Sequence, residues 1–221
     1  MYFYLGAFLA LSTLGSFVLP APVPETQPTL DIKDMEVMRS PEFQDAAESA
    51  FSLITKILSE IPAVHKSIIH TPSLSLDQSD LSALQYLKET LDLPEPSPLQ
   101  PLSDKFNLES SLSHMVEGLK LHKTLLKVIA ELPHFQSKKP SELQYDLRDA
   151  LLHLHKMQHL IKAVKTPEKV SESQLKEDLA QRVKSDYMSQ VAAHLTLLQL
   201  RGFAKDVSRS LQTLIISEQE N

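Results

Sequence analysis

The stretch HLHKMQH sets His153, His155 and His159 close together, and the last two stand four residues apart. On a helix that spacing stacks two imidazoles one turn apart, where they can share a zinc ion. A zinc enzyme asks for more, either the glutamate of an HExxH pair or cysteines to complete the ligand set. Neither is present, because this stretch lacks the glutamate and the whole chain lacks cysteine. The three histidines therefore read as a solvated helix face, with no metal expected. Serines are plentiful, but none lies in a G-x-S-x-G elbow, and no P-loop or G-x-G-x-x-G run occurs. Carboxylates scatter over expected outer faces. No enzyme is read here, and no cofactor.

What remains is recognition. Asp146 and Asp149 lie three apart and flank an apolar stripe, so a helix presents both on one side to a basic partner. A formal net charge of −6 argues against nucleic acid, whose binders carry a basic patch. Amphipathic helices can also bind lipid, but that reading expects flanking basic residues and 11- or 22-residue repeats, and neither is evident.

The elements that must carry these residues are helices. SPEFQDAAESAFSLITKILSEI offers Ser40 as an N-cap and Pro41 at the first helical position. Ala47, Phe51, Ile54, Leu58 and Ile61 follow at spacings of three or four, and Pro62 is expected to kink this helix or end its regular part. A second helix is expected over about 106–132, where Leu108, Leu112, Met115, Leu119, His122, Leu126 and Ile129 alternate four and three apart. Gly118 sits in its middle although the chain has only four glycines, and it costs a helix about 1 kcal/mol relative to alanine. A third helix opens on Ser141 and Gln144, spaced as a capping box, and continues through Leu143, Leu147, Ala150, Leu154, Met157, Ile161 and Val164. The last is expected from about 173, or later, to 216, with Leu179, Val183, Val191, Leu195, Leu198, Val207, Leu211 and Leu214.

No strand of period-two alternation competes, so the class is all-α. The links between the four helices are long, short and long. The first link carries PEPSPLQP and a short helical patch, SDLSALQYLKETL. A helix of 27 residues is about 40 Å long, and only a long link can run back beside it. This pattern predicts a long-chain four-helix bundle, up-up-down-down, with two long crossover connections.

At the N-terminus, residues 2–19 carry no charge and are mostly apolar, and a proline-rich stretch follows. The reading is a cleaved leader over 1–21, cut between 15 and 21, then an extension over 22–39 and a helical domain over 40–221. A secreted, extracellular product without membrane insertion is expected, monomeric when free. Disulfides are excluded for want of cysteine, and no Asn-x-Ser/Thr sequon occurs.

Gly118-Leu119, with His122 and Leu126 at the following spacings, is similar to a signature of the interleukin-6, granulocyte colony-stimulating factor and myelomonocytic growth factor family. In that signature Gly-Leu is followed by an aromatic residue and a closing leucine. His122 stands in the aromatic slot, and Pro101 and Ser111 stand where the family has cysteines. LQYDLRD, SDLSALQYL and VAAHL resemble further runs of the family in the same order, so the resemblance spans essentially the whole chain. It implies a haematopoietic cytokine that binds and dimerises a class I cytokine receptor and stimulates granulocyte-lineage cells. The interleukin-6-like inflammatory branch is the nearest rival. By the same resemblance Asp146 and Asp149 match receptor-binding acids of a face built from the first and third helices. Asp80 matches an acid of a second face. Ser52 falls where the family has a glutamate, and Glu48, one turn earlier, is its substitute. Mammalian members staple the first long loop with two disulfides. Their absence here implies a looser loop, partly offset by the prolines of PEPSPLQP.

Overall fold

The computed structural model describes residues 32–76, 82–99, 107–132, 140–163 and 171–216, and every regular element among them is a helix. They are α1 (Ile32–Met38), α2 (Pro41–Ile68), α3 (Ser82–Leu91), α4 (Leu108–Ala130), α5 (Pro140–Leu160), α6 (Glu172–Arg182) and α7 (Asp186–Ile216). The leader, Pro101 and Val164 lie outside the described residues.

The starts of α2 and α4 follow from their caps. Ser40 takes an extended conformation and its hydroxyl accepts from the Phe43 amide at 3.3 Å, with Pro41 at the first position of α2. Asn107 does the same for α4, accepting from the Ser110 amide at 2.7 Å. Each cap satisfies a backbone donor that the helix itself leaves without a partner.

The long helices pack in a fixed pattern. α2 lies against α5 and α7, and α4 lies against the same two. Gln44, early in α2, donates to the Leu214 carbonyl late in α7, while His65, late in α2, meets His194 early in α7. These two helices are therefore antiparallel. Between α4 and α5, Gln158 reaches back to Ser113 at 3.4 Å, so this pair is antiparallel too. All four helices feed one core, in which Phe43, Ile54, Leu112, Leu119, Leu147, Leu154, Leu200 and Leu211 are buried. Burying an aliphatic or aromatic side chain of this size contributes about 1.5–3 kcal/mol.

Gly118 permits the closest approach in that core. A Cβ built on it would stand 2.1 Å from Phe203 Cζ and under 3 Å from both ring Cε atoms. Only a residue without a side chain lets the α7 ring lie on the α4 backbone. His122, one turn along, stacks on the same ring with centroids 5.5 Å apart. The expected seven-residue stripe of α4 is buried in full.

Several expectations are corrected. α2 does not end at Pro62 but continues to Ile68. Pro62 is exposed, where its missing amide is tolerated beside water. The last expected helix is two, because the chain breaks between Arg182 and Asp186. Leu179 therefore lies in α6 and Val183 in the break, both buried, and the later start at Asp186 is the one that applies. α5 begins at Pro140, which moves Ser141 from the cap into the first turn. Part of the expected extension is helical, since α1 occupies Ile32–Met38 and buries Met38. The patch in the first long link is the helix α3, as expected.

Candidate functional site

An α5 stripe runs Tyr145, Arg148, Asp149 and Leu152, at spacings that put all four on one helix face. Two large apolar side chains stand out from it, Tyr145 at 59% exposure and Leu152 at 63%. Core-directed periodicity explains neither, since Leu143, Leu147, Ala150 and Leu154 fill the opposite side. The polar residues between them are organised. The Arg148 guanidinium lies over the Tyr145 ring, 5.5 Å from its centroid, and donates to Asp149 Oδ1 at 3.0 Å. A cation held on an aromatic face beside a carboxylate makes a rigid, amphipathic patch.

Asp146 is placed differently from Asp149. It is only 8% exposed, and Lys56 of α2 donates to its Oδ1 at 2.8 Å. Lys56 also approaches Glu60 at 3.6 Å. Hydrogen bonding to Asp146 is the main cause that raises the Lys56 pKa. Burial chiefly, and then the neighbouring Asp146, push the Glu60 carboxyl up against the pull of Lys56. Asp146 thus ties α5 to α2 across the packed interface instead of standing free on an outer face.

Glu48 and Ser52 are exposed on α2 at spacings of four that lead to Lys56, so this helix places them on one stripe with it. Across the α2–α5 seam the structure joins Lys56 to Asp146, with Ser52 one turn before Lys56 on α2 and Asp149 a turn beyond Asp146 on α5. Asp80 lies outside the described residues. The helix that follows it, α3, exposes Tyr86 at 75%.

The histidine face holds no metal cluster, and among the described residues no group of three His, Asp or Glu side chains is placed to bind one. The notable histidines are others. His65 Nε2 and His194 Nδ1 meet at 2.9 Å between α2 and α7, both buried. Burial pushes the His65 pKa down, and burial with the neighbouring His65 pushes His194 down to about 4. His122 is wholly buried and its Nδ1 stands 2.7 Å from the Gly118 carbonyl, which accepts. Burial lowers its pKa to about 4, opposed by that hydrogen bond, and Nε2 has no hydrogen-bond partner among the described residues. His65 and His194 belong to different sequence segments, so no spacing could have paired them. Ser111 is buried in α4.

No family model matches this chain, and neither a curated protein nor a solved structure matches it. No described helix is long and apolar enough to cross a membrane.

Proposed function

We propose that this chain is a secreted cytokine of the up-up-down-down four-helix class, which binds and dimerises a class I receptor resembling that of granulocyte colony-stimulating factor. The α5 stripe carries the proposal. Tyr145 and Leu152 bracket Asp149 and Arg148 on an exposed helix face, and tyrosine and arginine are among the residue types that dominate binding at protein interfaces.

The packing supports the topology. α2 and α4 follow each other along the chain, yet each packs on α5 and α7, and the long first link passes through α3 between them. A simple up-down meander sets consecutive helices side by side. In the proposed mechanism Glu48, Ser52 and the α5 stripe form the first receptor face. Asp149 is its acid and Tyr145 and Leu152 supply most of the affinity. Asp146 holds the two helices in register through Lys56. Asp80 and the exposed Tyr86 belong to the second face. One rigid ligand bearing two faces draws two receptor chains together, and that proximity is the signal.

The test is surface plasmon resonance of the chain against the granulocyte-factor receptor ectodomain of the same species, with the interleukin-6 receptor alongside. Tight binding to the first alone is expected, weakened about tenfold or more by Asp149→Lys and by Tyr145→Ala. A folded helical protein that binds neither receptor refutes the proposal. A preference for the second receptor moves it to the interleukin-6 branch.

A further inference from the structure

We infer that the groove between α4 and α5 binds a linear sulfated polyanion of the glycosaminoglycan type. The chain is acidic overall, yet this groove gathers Lys120, Lys123 and Lys127 from α4 with Arg148 and His155 from α5, over an apolar floor that includes Leu151. Its volume is about 490 Å³. The three lysines stand at spacings of three and four, so they line one side of the groove over a length of about 10 Å. Glu172 of α6 closes one end by pairing with Lys127 at 2.6 Å, and Arg148 leans on Asp149. Lys120 and Lys123 make no ion pair among the described residues, so two neighbouring ammonium groups line the groove without a direct acidic partner. A ligand that brings several anions relieves their mutual repulsion.

The shape and composition select among anionic partners. A lone phosphate needs donors that converge on one point, whereas these cations are strung along a line. Nucleic acid binds single strands by stacking bases on aromatic rings, and apart from His155 the groove offers none. A flat anionic bilayer pressed on this face would meet the exposed carboxylates of Glu131 and Glu172 as well as the lysines. Glu131 does not line the groove, and Glu172 is already paired with Lys127, so a narrow chain lying along Lys120, Lys123 and Arg148 meets fewer unpaired acids than a flat surface does. Lysine ammonium groups are mobile point charges, suited to sulfates whose spacing varies along a polymer.

The inference goes beyond receptor binding and does not depend on it, and the informative substitutions lie on α4, off the α5 stripe. The experiment measures binding of a heparin octasaccharide to the full chain by surface plasmon resonance at 50 and 150 mM NaCl. Vesicles containing phosphatidylserine run as a second analyte, and receptor binding is measured in parallel. Two variants carry equal changes of net charge, Lys120→Glu with Lys123→Glu in the groove and Lys66→Glu with Lys205→Glu on other helices. Expected are heparin binding that weakens with salt, a loss of about tenfold or more in the groove variant, and a loss of less than about threefold in the control. Circular dichroism verifies that both variants stay helical. If the groove variant does not fold, Lys120→Gln with Lys123→Gln replaces it and is expected to lose several-fold. Equal losses in groove and control variants overturn the inference, as does absence of heparin binding at 50 mM NaCl. Vesicle binding that exceeds heparin binding and needs the same lysines overturns it in favour of a membrane.

Discussion

Gly118→Ala should destabilise the protein, although the helix alone predicts the reverse. In an exposed helix interior alanine replaces glycine with a gain of about 1 kcal/mol, because glycine has more backbone entropy to lose. Here the new Cβ would fall 2.1 Å from Phe203 Cζ and 2.4 Å from one Cε. Ordinary carbon contact begins near about 3.5 Å, so the ring must retreat by more than about 1 Å. It has little room to do so. Phe203 is buried in the core and stacked on His122, which is itself wholly buried. Overpacking of this kind costs about 1–3 kcal/mol, and more when ring and backbone both shift. Set against the propensity gain, a net loss of about 1–2 kcal/mol is expected. Urea unfolding at pH 7.5, followed by helical circular dichroism, measures it. The companion Phe203→Leu removes the end of the ring and carries its own cavity cost. On that background Gly118→Ala should become neutral or stabilising, a coupling of about 1.5 kcal/mol or more between the two sites. A Gly118→Ala protein more stable than the parent would refute the reasoning, since the ring would then not need the glycine.

Three further outcomes are expected. His122 and His194, held near 4, and His65, also lowered, take up protons more readily unfolded than folded, so stability is full above about pH 6.5 and drains as pH falls toward 4. For His122 the gap to 6.5 is worth about 3 kcal/mol, and urea midpoints at pH 7.5 and 4.5 should show His122→Phe losing less than the parent; equal losses would remove His122 as a cause. Asn107→Ala should cost about 1 kcal/mol of urea stability by freeing the Ser110 amide, and no change would show that α4 needs no side-chain cap. Charge reversal should separate the two α5 acids in thermal melts: Asp149→Lys changes stability by less than about 0.5 kcal/mol, whereas Asp146→Lys sets a buried lysine against Lys56 and costs about 3 kcal/mol or more. Equal melting of the two variants would show that the pairing of buried Asp146 with the half-exposed Lys56 contributes nothing.

Apolar periodicity carried most of the fold, because a buried stripe repeats with the helix. The α4 stripe from Leu108 to Ile129 is buried residue for residue, and the core positions of α5 from Leu143 to Met157 follow the same rule. Boundaries were less legible. The break between α6 and α7 contains neither glycine nor proline, only Val183, Lys184 and Ser185, and apolar spacing continues across it. Pro62 misled in the other direction, since a proline on the exposed side of a long helix need not end it. Of the site, the exposed stripe was legible only by subtraction: Tyr145 and Leu152 are the α5 residues left over once the core face is assigned. The pairing of Asp146 with Lys56 was not legible, because it depends on how two distant helices meet.

That pairing gives the two aspartates different work. Two acids three residues apart look equivalent along a helix, yet a rotation of about 300° between them leaves one edging the core and the other facing solvent. An acid in the first place must be neutralised, and Lys56 does so from α2 with a stem that lies partly along the packed surface. The ion pair adds a polar tie to the apolar α2–α5 interface, on the helix stripe that also carries Glu48 and Ser52. Asp146→Asn isolates this role, since it keeps the shape and drops the charge. Receptor affinity should fall by only about threefold through loosened register, against about tenfold or more for Asp149→Asn, while thermal stability should fall more for Asp146→Asn than for Asp149→Asn. If instead Asp146→Asn abolished binding with stability unchanged, Asp146 would be a direct contact that leaves Lys56 when the receptor arrives, and its place in the α2–α5 seam would be a resting state.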